Sequence, residues 1–530
     1  MIEAQRETWS IEKPVVHSQR GIVVSQHAAA SAVGVDVLRA GGNAVDAAVA
    51  TGFSIGVLEP WMSGIGGGGC LLVYLAEQDE CWAVDFGVRS SVALDPADYV
   101  LADGIGPDLF HWQSVVDDRN VSGPYSIAIP GHVAGLATAL ERFGTWQFAD
   151  ILAPAIELAA RGLMVDWFAS LKIAAAAPIL ARYVDSRRIY LPHGFAPVGE
   201  WAGPLPVLSL GRLTDTLRQL AQAGSRDFYE GEIAARMVAD AQVLGIKLTA
   251  TDLEHYRAAV TPAQTCAYRD ARVSVVPGLT AGPTLQTALH ALQALIEPSA
   301  ATRPSERHFI AYARALTDAY ANRLASLGAN EHGNASTCTT HIGVTDRHGN
   351  VVCLTQTLLS VFGSKLVLPQ TGILMNNGIM WFDPRPERPN SIAPGRRPLS
   401  NMCPTLVRRP DGERFAIGAS GGRRILPAVL QMTSFLVDCG LPLDVALRMP
   451  RIDVSGDETI TVDDRLDAPV IDALRCRFSI EAVQNRVYPN YFACPNIVGY
   501  DPARQRASGA AFLMSPWAAA CAEEAVPSVE

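Results

Sequence analysis

A predicted β-hairpin between Thr339 and Thr357 constrains the fold of this chain more than any other stretch. Residues 340–344 alternate in polarity as a half-buried strand does, and residues 351–357 have the composition of the returning strand. The segment Arg347–Asn350 between them is typical of a turn. Pairing the strands outwards from this turn places Thr339 directly opposite Thr357, with Cβ atoms about 4.5–5.5 Å apart. The sequence therefore predicts two neighbouring hydroxyl groups.

Thr339 is a candidate nucleophile. A threonine hydroxyl reacts poorly without a base beside it, and a free α-amine on the same residue, with an ordinary pKa of about 7.7–8.0, can be that base. This arrangement requires a chain cut between Cys338 and Thr339. The preceding residues 328–336 have the composition of an exposed loop, where a cut is best tolerated. An ordinary threonine-rich hairpin is the alternative, because threonine is a good strand residue.

Composition bounds the class of protein. The 530 residues are 49% hydrophobic and 18% charged, with a net charge of −10, which is typical of a soluble globular protein and argues against a nucleic-acid partner. Residues 1–21 carry no apolar run of signal-peptide length, and no stretch has the roughly 18 apolar residues of a membrane span. We therefore expect a cytoplasmic protein without a membrane partner.

Cysteine and histidine spacings give no sign of a metal site. The 10 cysteines contain no CxxC pair, which indicates reduced, mostly packed thiols. The 11 histidines show neither HExxH nor a Cys/His ligand spacing. We expect no metal and no cofactor.

The N-terminal region predicts two helices and a glycine-rich loop. Residues 26–40 form the first predicted helix, which ends at Gly41-Gly42, and residues 44–57 form the second. The loop Ser63–Gly69 formally contains GxGxxG, but a helix precedes it and a strand follows, the reverse of a dinucleotide site. A tight loop that lets backbones approach closely is the favoured interpretation. Further along, residues 372–377 are predicted to form a strand.

A strand–turn–helix unit over residues 415–437 allows several interpretations. Its turn, Gly418–Gly422, formally matches the GxSxG nucleophile elbow, whose order requires a histidine after Ser420. The last histidine is His348, which argues against a Ser420 triad. The N–H groups of Gly421 and Gly422 at a helix start are instead suited to hold an oxyanion. A plain glycine turn joining strand to helix is the third possibility.

Several motifs together resemble a known family. In chain order they are Ala40–Ala48 with Glu59–Gly69, Pro130–Gly135, Thr339–His341, Arg397–Thr405 and Ser420–Gly422. Each motif alone is weak, but five in the right order resemble the γ-glutamyltranspeptidase family of N-terminal-nucleophile (Ntn) hydrolases along most of the chain.

This resemblance implies an α+β fold, the four-layer αββα Ntn-hydrolase sandwich. It also implies that the precursor cuts itself between Cys338 and Thr339. The large fragment, residues 1–338, and the small fragment, residues 339–530, would form one intertwined domain and associate as a heterodimer. Further oligomerisation is left open.

The resemblance also assigns roles to individual residues. Thr339 is the expected nucleophile, Thr357 hydrogen-bonds it, and Gly421 and Gly422 hold the oxyanion. The positions that bind substrate in the family are occupied here by three residues, Ser400, Asn401 and Trp381.

Four departures from the family pattern concern the substrate. Pro96 falls where an arginine binds an α-carboxylate, and Trp381 falls where an aspartate binds an α-ammonium. Leu359 and Asn401 replace an asparagine and the second of two serines. A buried tryptophan cannot pair with an ammonium group, so the amino-acid clamp is predicted to be lost. Other arginines remain candidates for a substrate carboxylate: Arg89, Arg396, Arg397, Arg423 and Arg424.

The resulting hypothesis is a self-processing N-terminal-threonine amidohydrolase. It would hydrolyse the amide bond of a small carboxylate-bearing substrate, oxamate-like or an acyl-amide, through an acyl-enzyme, as cephalosporin acylases and oxamate amidohydrolases of this family do. The alternative within the enzyme class is a glutathione hydrolase or γ-glutamyl transferase. A non-catalytic binding relative is the alternative of another class.

Overall fold

The computed structural model describes residues 11–106, 112–297, 303–326, 338–455 and 459–524. The predicted loop 328–336 lies outside the described residues. The strands within them are, in chain order, β1 (Val16–Ser18), β2 (Ile22–Ser25), β3 (Gly68–Leu75), β4 (Glu80–Phe86), β5 (Leu101–Ile105), β6 (Gln113–Val115), β7 (Leu163–Met164), β8 (Val207–Leu208), β9 (Ala259–Pro262), β10 (Gln264–Tyr268), β11 (Ala271–Val275), β12 (Cys338–Thr345), β13 (Val351–Leu359), β14 (Thr405–Arg408), β15 (Arg414–Ser420), β16 (Ile452–Asp453), β17 (Thr459–Asp463), β18 (Ser479–Val483), β19 (Cys494–Asp501), β20 (Arg506–Ala511) and β21 (Ala519–Ala522).

The α-helices surround these strands. In chain order over the same residues they are α1 (Ala28–Arg39), α2 (Ala44–Leu58), α3 (His132–Phe143), α4 (Phe148–Arg161), α5 (Trp167–Leu180), α6 (Val184–Tyr190), α7 (Leu213–Ala223), α8 (Asp227–Glu230), α9 (Glu232–Leu244), α10 (Ala250–Glu254), α11 (Gly282–Leu295), α12 (Glu306–Ser326), α13 (Ile425–Val437), α14 (Leu443–Arg448) and α15 (Ala468–Arg475).

Two seven-stranded sheets form the centre of the fold. One has the strand order β1-β20-β19-β15-β14-β11-β10, and we call it the oxyanion-side sheet because β15 leads into Gly421. The other has the order β21-β2-β12-β13-β3-β4-β9, and we call it the hairpin sheet because β12 and β13 form the central hairpin. Both sheets therefore contain strands from before and after Thr339.

Three separate hydrophobic cores show that the architecture has four layers. In β12, Ile342 and Val344 belong to a core shared with α1–α4. In β15, Phe415 and Ile417 belong to a second core with α11–α13. Alternate residues of both sheets, among them Val24 in β2, meet in the third core between the sheets. Since side chains alternate across a strand, each sheet covers one core on each face. The predicted αββα sandwich is confirmed.

The two N-terminal helices begin at polar caps. α1 begins after His27, whose side chain accepts the Ala29 N–H, two residues later than predicted. α2 begins after Asn43, which forms a capping box with Asp46. Such caps satisfy N–H groups that have no partner inside the helix. Among the described helices, none is long and apolar enough to cross a membrane.

The central hairpin confirms most of the predicted register. Thr340 pairs with Gln356, and the ladder continues without interruption to the turn. Beyond Thr340 the register shifts, because Cys338 pairs with Leu359. A β-bulge therefore sets Thr339 across from two residues, 357 and 358, instead of Thr357 alone. The prediction of direct opposition is wrong by this one inserted residue.

The strand predicted over residues 372–377 is not formed. This segment makes two isolated bridges, one of which joins Met375 to Gly66. The Asn376 amide donates to the carbonyl oxygens of Gly66 and Ala128, at 2.7 Å and 2.9 Å. Its polar groups are thus paired with loops, so the segment needs no neighbouring strand.

Candidate active site

Thr339 lies at the start of β12 and is 2% exposed. Cys338 is the first residue of that strand, so the predicted cut falls inside a β-ladder. In β12, Ile342 and Val344 point to the helices. Alternation then places Thr339 and His341 on the opposite face, toward the oxyanion-side sheet.

His341 makes the contact between β12, the strand that begins at Cys338, and β15. A Cβ atom on Gly418 would lie 2.3 Å from the His341 ring, so only glycine fits there. The ring Nδ1 is 2.9 Å from the Thr355 hydroxyl. Burial lowers the pKa of His341 to about 3, which keeps the imidazole neutral. His341 is thus a packing and hydrogen-bonding group and not an acid or base at neutral pH.

The contacts between the sheets bring the predicted oxyanion loop toward Thr339. A Cβ atom added to Gly343 would lie 3.1 Å from the Val498 side chain, and Val498 pairs with Ala416 in β15. His341 meets Gly418, two residues further along β15. His341 lies two residues before Gly343, and Gly418 lies two residues after Ala416. A further step of two residues on each strand places Thr339 level with Ser420 and the loop that follows it.

Gly421 and Gly422 have the backbone that this loop requires. Their φ angles are +135° and +61°, in the region that favours glycine. A Cβ atom on Gly421 would lie 2.9 Å from the Cα of Ala493. A 3₁₀ turn, Gly422–Arg424, follows and leads into α13. The N–H groups therefore stand at a helical N-terminus, as an oxyanion hole needs.

Ser420 is not organised as a nucleophile. Its hydroxyl accepts a hydrogen bond from the Gln26 side chain at 2.6 Å, and the same amide also donates to the Cys494 carbonyl. Ser420 is 4% exposed. A GxSxG elbow needs a histidine as base, whereas an amide has no basic nitrogen. The Ser420 triad is therefore excluded by its partner as well as by sequence order.

The glycine-rich loop Ser63–Gly69 packs against the hairpin, as the close-approach interpretation predicts. A Cβ atom on Gly67 would lie 2.2 Å from the Thr357 carbonyl oxygen, and one on Gly66 would lie 2.2 Å from the Leu374 oxygen. Thr357 itself accepts the Leu359 N–H at 2.7 Å. The loop thus holds the backbone of the strand opposite the nucleophile.

A small cavity of about 20 Å³, which we call the acyl pocket, opens beside this loop. Val88 lines it and would meet a Cβ atom on Gly68, the strand partner of Thr357, at 3.0 Å. Two predicted substrate-binding residues, Trp381 and Ser400, also line it. The pocket therefore adjoins the β12–β13 hairpin through a single strand, β3.

Asn401 is the third predicted substrate-binding residue and does not line the acyl pocket. It is 4% exposed, and its Nδ2 donor has no partner among the described residues. The neighbouring Ser400 carbonyl accepts from Arg323 at 2.6 Å. Burial lowers the pKa of Arg323 to about 10, so it remains a cation that fixes this segment. An unpaired buried donor is costly, at about 1–3 kcal/mol, and suits a ligand acceptor.

Pro96 does not line the acyl pocket. It opens a short 3₁₀ helix, Pro96–Asp98, and is exposed. The residue that follows β4 at the pocket is Gly87. Val88 also lines the pocket, and Pro96 lies eight positions further along the chain.

Arg397 is the candidate arginine that lines the acyl pocket, where its Nη1 donates to Asp85 at 2.6 Å. Arg89 and Arg396 are exposed. Arg424 donates to the Asn490 carbonyl, and Arg423 lies 5.9 Å from the Trp112 ring centre.

Two residues with clear positions in the site escaped the sequence analysis. Gln26 reaches Ser420, and Asp85 reaches Arg397. The sequence carried little indication of either contact, because the two residues of each pair are several hundred positions apart in the chain. Across the described residues, no group of three or more His, Cys, Asp or Glu side chains could hold a metal ion.

Comparison with known proteins identifies the family. The γ-glutamyltranspeptidase family model matches residues 30–336 and 313–488. The chain belongs to the γ-glutamyltranspeptidase family. Acylase ACY 1 proenzyme of Pseudomonas sp. (strain V22) is 31% identical over 503 residues, covering 88% of both chains. Glutathione hydrolase proenzyme of Bacillus subtilis (strain 168) is 27% identical over 517 residues, covering 87% of this chain and 85% of the relative.

Solved structures agree on the fold. The cephalosporin acylase from Bacillus halodurans superposes with a TM-score of 0.85 at 23% identity, covering 99% of this chain and 100% of that chain. The γ-glutamyltranspeptidase family member described here is thus an Ntn hydrolase similar to acylases and glutathione hydrolases.

Proposed function

We propose that this chain is a self-processing threonine amidohydrolase that cleaves an acyl-amide through an acyl-enzyme. The observation that carries the proposal is the position of Thr339. It lies on a β-bulge at the start of β12, on the strand face turned toward β15 and level with the loop that contains Gly421 and Gly422. The relatives named proenzymes support the processing step.

The cut itself converts an amide into two new chain ends. Thr339 Oγ attacks the Cys338 carbonyl carbon, the C–N bond breaks, and the nitrogen of Thr339 takes up a proton as a free amine. Water then hydrolyses the ester, leaving a carboxylate on Cys338. The fragments 1–338 and 339–530 would remain together as a heterodimer, because both contribute strands to both sheets.

The mature Thr339 then acts on substrate. Its α-amine removes the hydroxyl proton while Oγ attacks the substrate carbonyl, and the N–H groups of Gly421 and Gly422 stabilise the oxyanion. One such donor contributes roughly 2.7–4 kcal/mol. The proton passes to the leaving amine, and water, activated by the same α-amine, resolves the acyl-enzyme. An acceptor amine in place of water would give transfer.

Intact mass spectrometry tests the processing step. We expect two fragments that meet between Cys338 and Thr339 in the wild type, and a single chain in Thr339→Ala. Thr340→Val is the matched control, because the Thr340 hydroxyl has no partner among the described residues and valine has its shape. This control should be cut normally. A wild-type chain that stays intact for days at neutral pH contradicts the proposal.

A glutathione hydrolase or γ-glutamyl transferase is the second candidate, favoured by the similarity to the Bacillus subtilis glutathione hydrolase proenzyme. Release of 4-nitroaniline from a γ-glutamyl anilide, compared with ammonia release from small amides such as oxamate, separates the candidates. A cut protein that acts on the γ-glutamyl substrate alone would favour the second.

The cytoplasmic location stays a prediction. Nine cysteines in the described part of the chain are free thiols, and five of them are buried, which suits a reducing compartment. Fractionation of cells with an antibody to the protein tests it.

A further inference from the structure

Three arginines form one row across the oxyanion-side sheet, and we call them the arginine row. Arg272 in β11 pairs directly with Arg408 in β14, and Arg408 pairs directly with Arg414 in β15. Directly paired residues point to the same face of a sheet, and like charges placed opposite each other destabilise it. The row therefore needs a compensating negative charge.

Burial makes the repulsion within the arginine row more costly, because charges interact more strongly away from water. Arg414 is 8% exposed, and the side chain of Arg408 is 14% exposed. The Nε atoms of both are buried and have no hydrogen-bond partner among the described residues. The Arg414 guanidinium lies 5.0 Å from the ring centre of Tyr74 and 4.8 Å from that of Tyr500. These rings attract a cation but carry no net negative charge.

Asp79 contributes a carboxylate to the arginine row. It forms an ion pair with Arg408 and accepts the Tyr74 hydroxyl at 2.8 Å. The hydrogen bond from Tyr74 and the charges of Arg408 and Arg272 lower the pKa of Asp79, so this carboxylate is ionised. Among the described residues, neither Arg272 nor Arg414 forms an ion pair. One paired carboxylate thus faces three cations.

The arginine row is accessible at both ends. Arg414 lines a cleft of about 1020 Å³, together with Gln78 and His348. A Cβ atom added to Gly349 would lie 2.3 Å from Nη2 of Arg414, so the absence of a side chain there leaves room beside this nitrogen. At the other end of the row, Arg272 is exposed.

The carboxylates of this cleft do not neutralise Arg414. Asp346 accepts four hydrogen bonds from N–H groups of its own surroundings. Glu523 forms an ion pair with Arg347. Glu77 is exposed, and in the described part of the chain it makes no ion pair with Arg414. The guanidinium donors of Arg414 therefore remain available to a ligand.

The arginine row is remote from Thr339 and longer than one anionic group. Arg414 and Ser420 are the two ends of β15, so about 20 Å of extended strand separates the row from the oxyanion loop. From β11 through β14 to β15 the row spans two strand spacings, about 10 Å in all. A ligand with two or more anionic groups matches this length better than a single carboxylate does.

We propose that the arginine row binds a small polyanion, a molecule with two or more phosphate or carboxylate groups, at a site separate from Thr339. Its oxygens accept hydrogen bonds from Arg272 and Arg414, while Asp79 keeps its pair with Arg408. Guanidinium groups suit this role, because their planar forks match both kinds of oxyanion. The site does not depend on chain cleavage or on an acyl-enzyme.

Isothermal titration calorimetry of the purified full chain tests the proposal with pyrophosphate, citrate and acetate, at an ionic strength held constant with sodium chloride. We expect pyrophosphate or citrate to bind at one site per chain, and acetate to bind at least about 10-fold more weakly. The tighter of the two polyanions shows whether phosphate or carboxylate groups suit the site. No binding of either polyanion, or equal binding of acetate, would overturn the proposal.

Variants assign the binding to the arginine row. Arg272→Gln and Arg414→Gln should each raise the Kd of the polyanion about 10-fold or more, because each removes a charged fork of donors. Arg504→Gln is the matched control, because Arg504 is exposed at the same end of the sheet and pairs with Asp501. Its Kd should stay within about 2-fold of the wild type. A Kd that Arg272→Gln leaves unchanged would overturn the assignment.

Thermal stability separates ligand binding from a purely structural role. Arg414 is buried, so its replacement also disturbs packing, whereas Arg272 is exposed. Without ligand, Arg272→Gln should melt at or above the wild-type temperature, because one repulsion is removed. With saturating polyanion it should melt below the wild type, because bound ligand stabilises the folded state by mass action. An equal rise in melting temperature for both proteins would contradict the proposal.

Discussion

At the residue scale, the contact between His341 and Gly418 sets how closely the nucleophile strand approaches β15. The ring fills the space that any side chain on residue 418 would need. Its hydrogen bond to Thr355 fixes the orientation of the ring. A small change at this contact therefore alters the position of Thr339 relative to Gly421 without touching either residue.

Gly418→Ala is expected to destabilise the protein and slow its reaction. The added Cβ would lie 2.3 Å from the His341 ring, and overpacking of this kind costs about 1–3 kcal/mol. We expect a lower melting temperature and slower processing. Gly64→Ala is the control, because the nearest atom to a Cβ there lies 3.7 Å away. Equal behaviour of the two variants would argue against His341 as the spacer.

The buried histidines predict acid lability. Burial lowers the pKa of His341 to about 3, below its ordinary value of 6.5. The unfolded chain binds this proton first, so stability is present above pH 6.5 and is lost as the pH falls toward 3. The slope is at most about 1.4 kcal/mol per pH unit for one group.

Urea unfolding at pH 7, 6 and 5 checks this linkage. His27 and His132, whose pKa values burial lowers to about 4, add to the loss in the wild type. His341→Gln should show a shallower dependence on pH by about one proton. An unchanged slope would mean that His341 is protonated in the folded state.

At the scale of elements, the C-terminal end of α2 contains a buried carboxyl group. Glu59 caps the helix, and its Oε2 has no partner among the described residues. Burial raises the pKa of Glu59 from 4.5 to about 8, and Lys172 opposes part of the shift. Glu59 is therefore mainly protonated in the folded protein at neutral pH.

Glu59→Gln is expected to stabilise the protein increasingly as the pH rises. The folded pKa lies above the unfolded value, so the wild type loses stability between pH 4.5 and 8, whereas glutamine has the same shape and no charge to desolvate. Melting temperatures at pH 5 and pH 8 measure the effect, with the exposed Glu77→Gln as control. A variant with no advantage at pH 8 would show that Glu59 has an unseen partner.

At the scale of the whole molecule, the proposed cleavage point lies within β12, a strand that is paired on both sides. β12 pairs with β13 on one side and with β2 on the other. The first of these partners belongs to residues 339–530 and the second to residues 1–338. Separation of the fragments would therefore require disruption of both central sheets.

The processed protein is expected to behave as one particle. Size-exclusion chromatography should give a single native peak at the volume of the uncut Thr339→Ala variant, whereas denaturing electrophoresis should give two bands. The fragments should separate only in denaturant. Two native peaks would show that the shared sheets do not hold the fragments together.

The sequence by itself determined the local elements and the family. Period-two alternation predicted the central hairpin and its register from Thr340 onwards. The capping residue Asn43 predicted the start of α2. These features were readable because their physical causes lie within a few residues of one another. The order of five motifs then indicated the four-layer fold, which the three cores confirm.

Only the tertiary structure decided the details of the site. The bulge at Thr339, the irregular segment 372–377 and the place of Gly87 in the pocket depend on partners far away in the chain. The same holds for the place of Arg397 at the pocket, where it pairs with the distant Asp85. Local propensity cannot encode such contacts, because they arise when packed layers bring together segments that hundreds of residues separate.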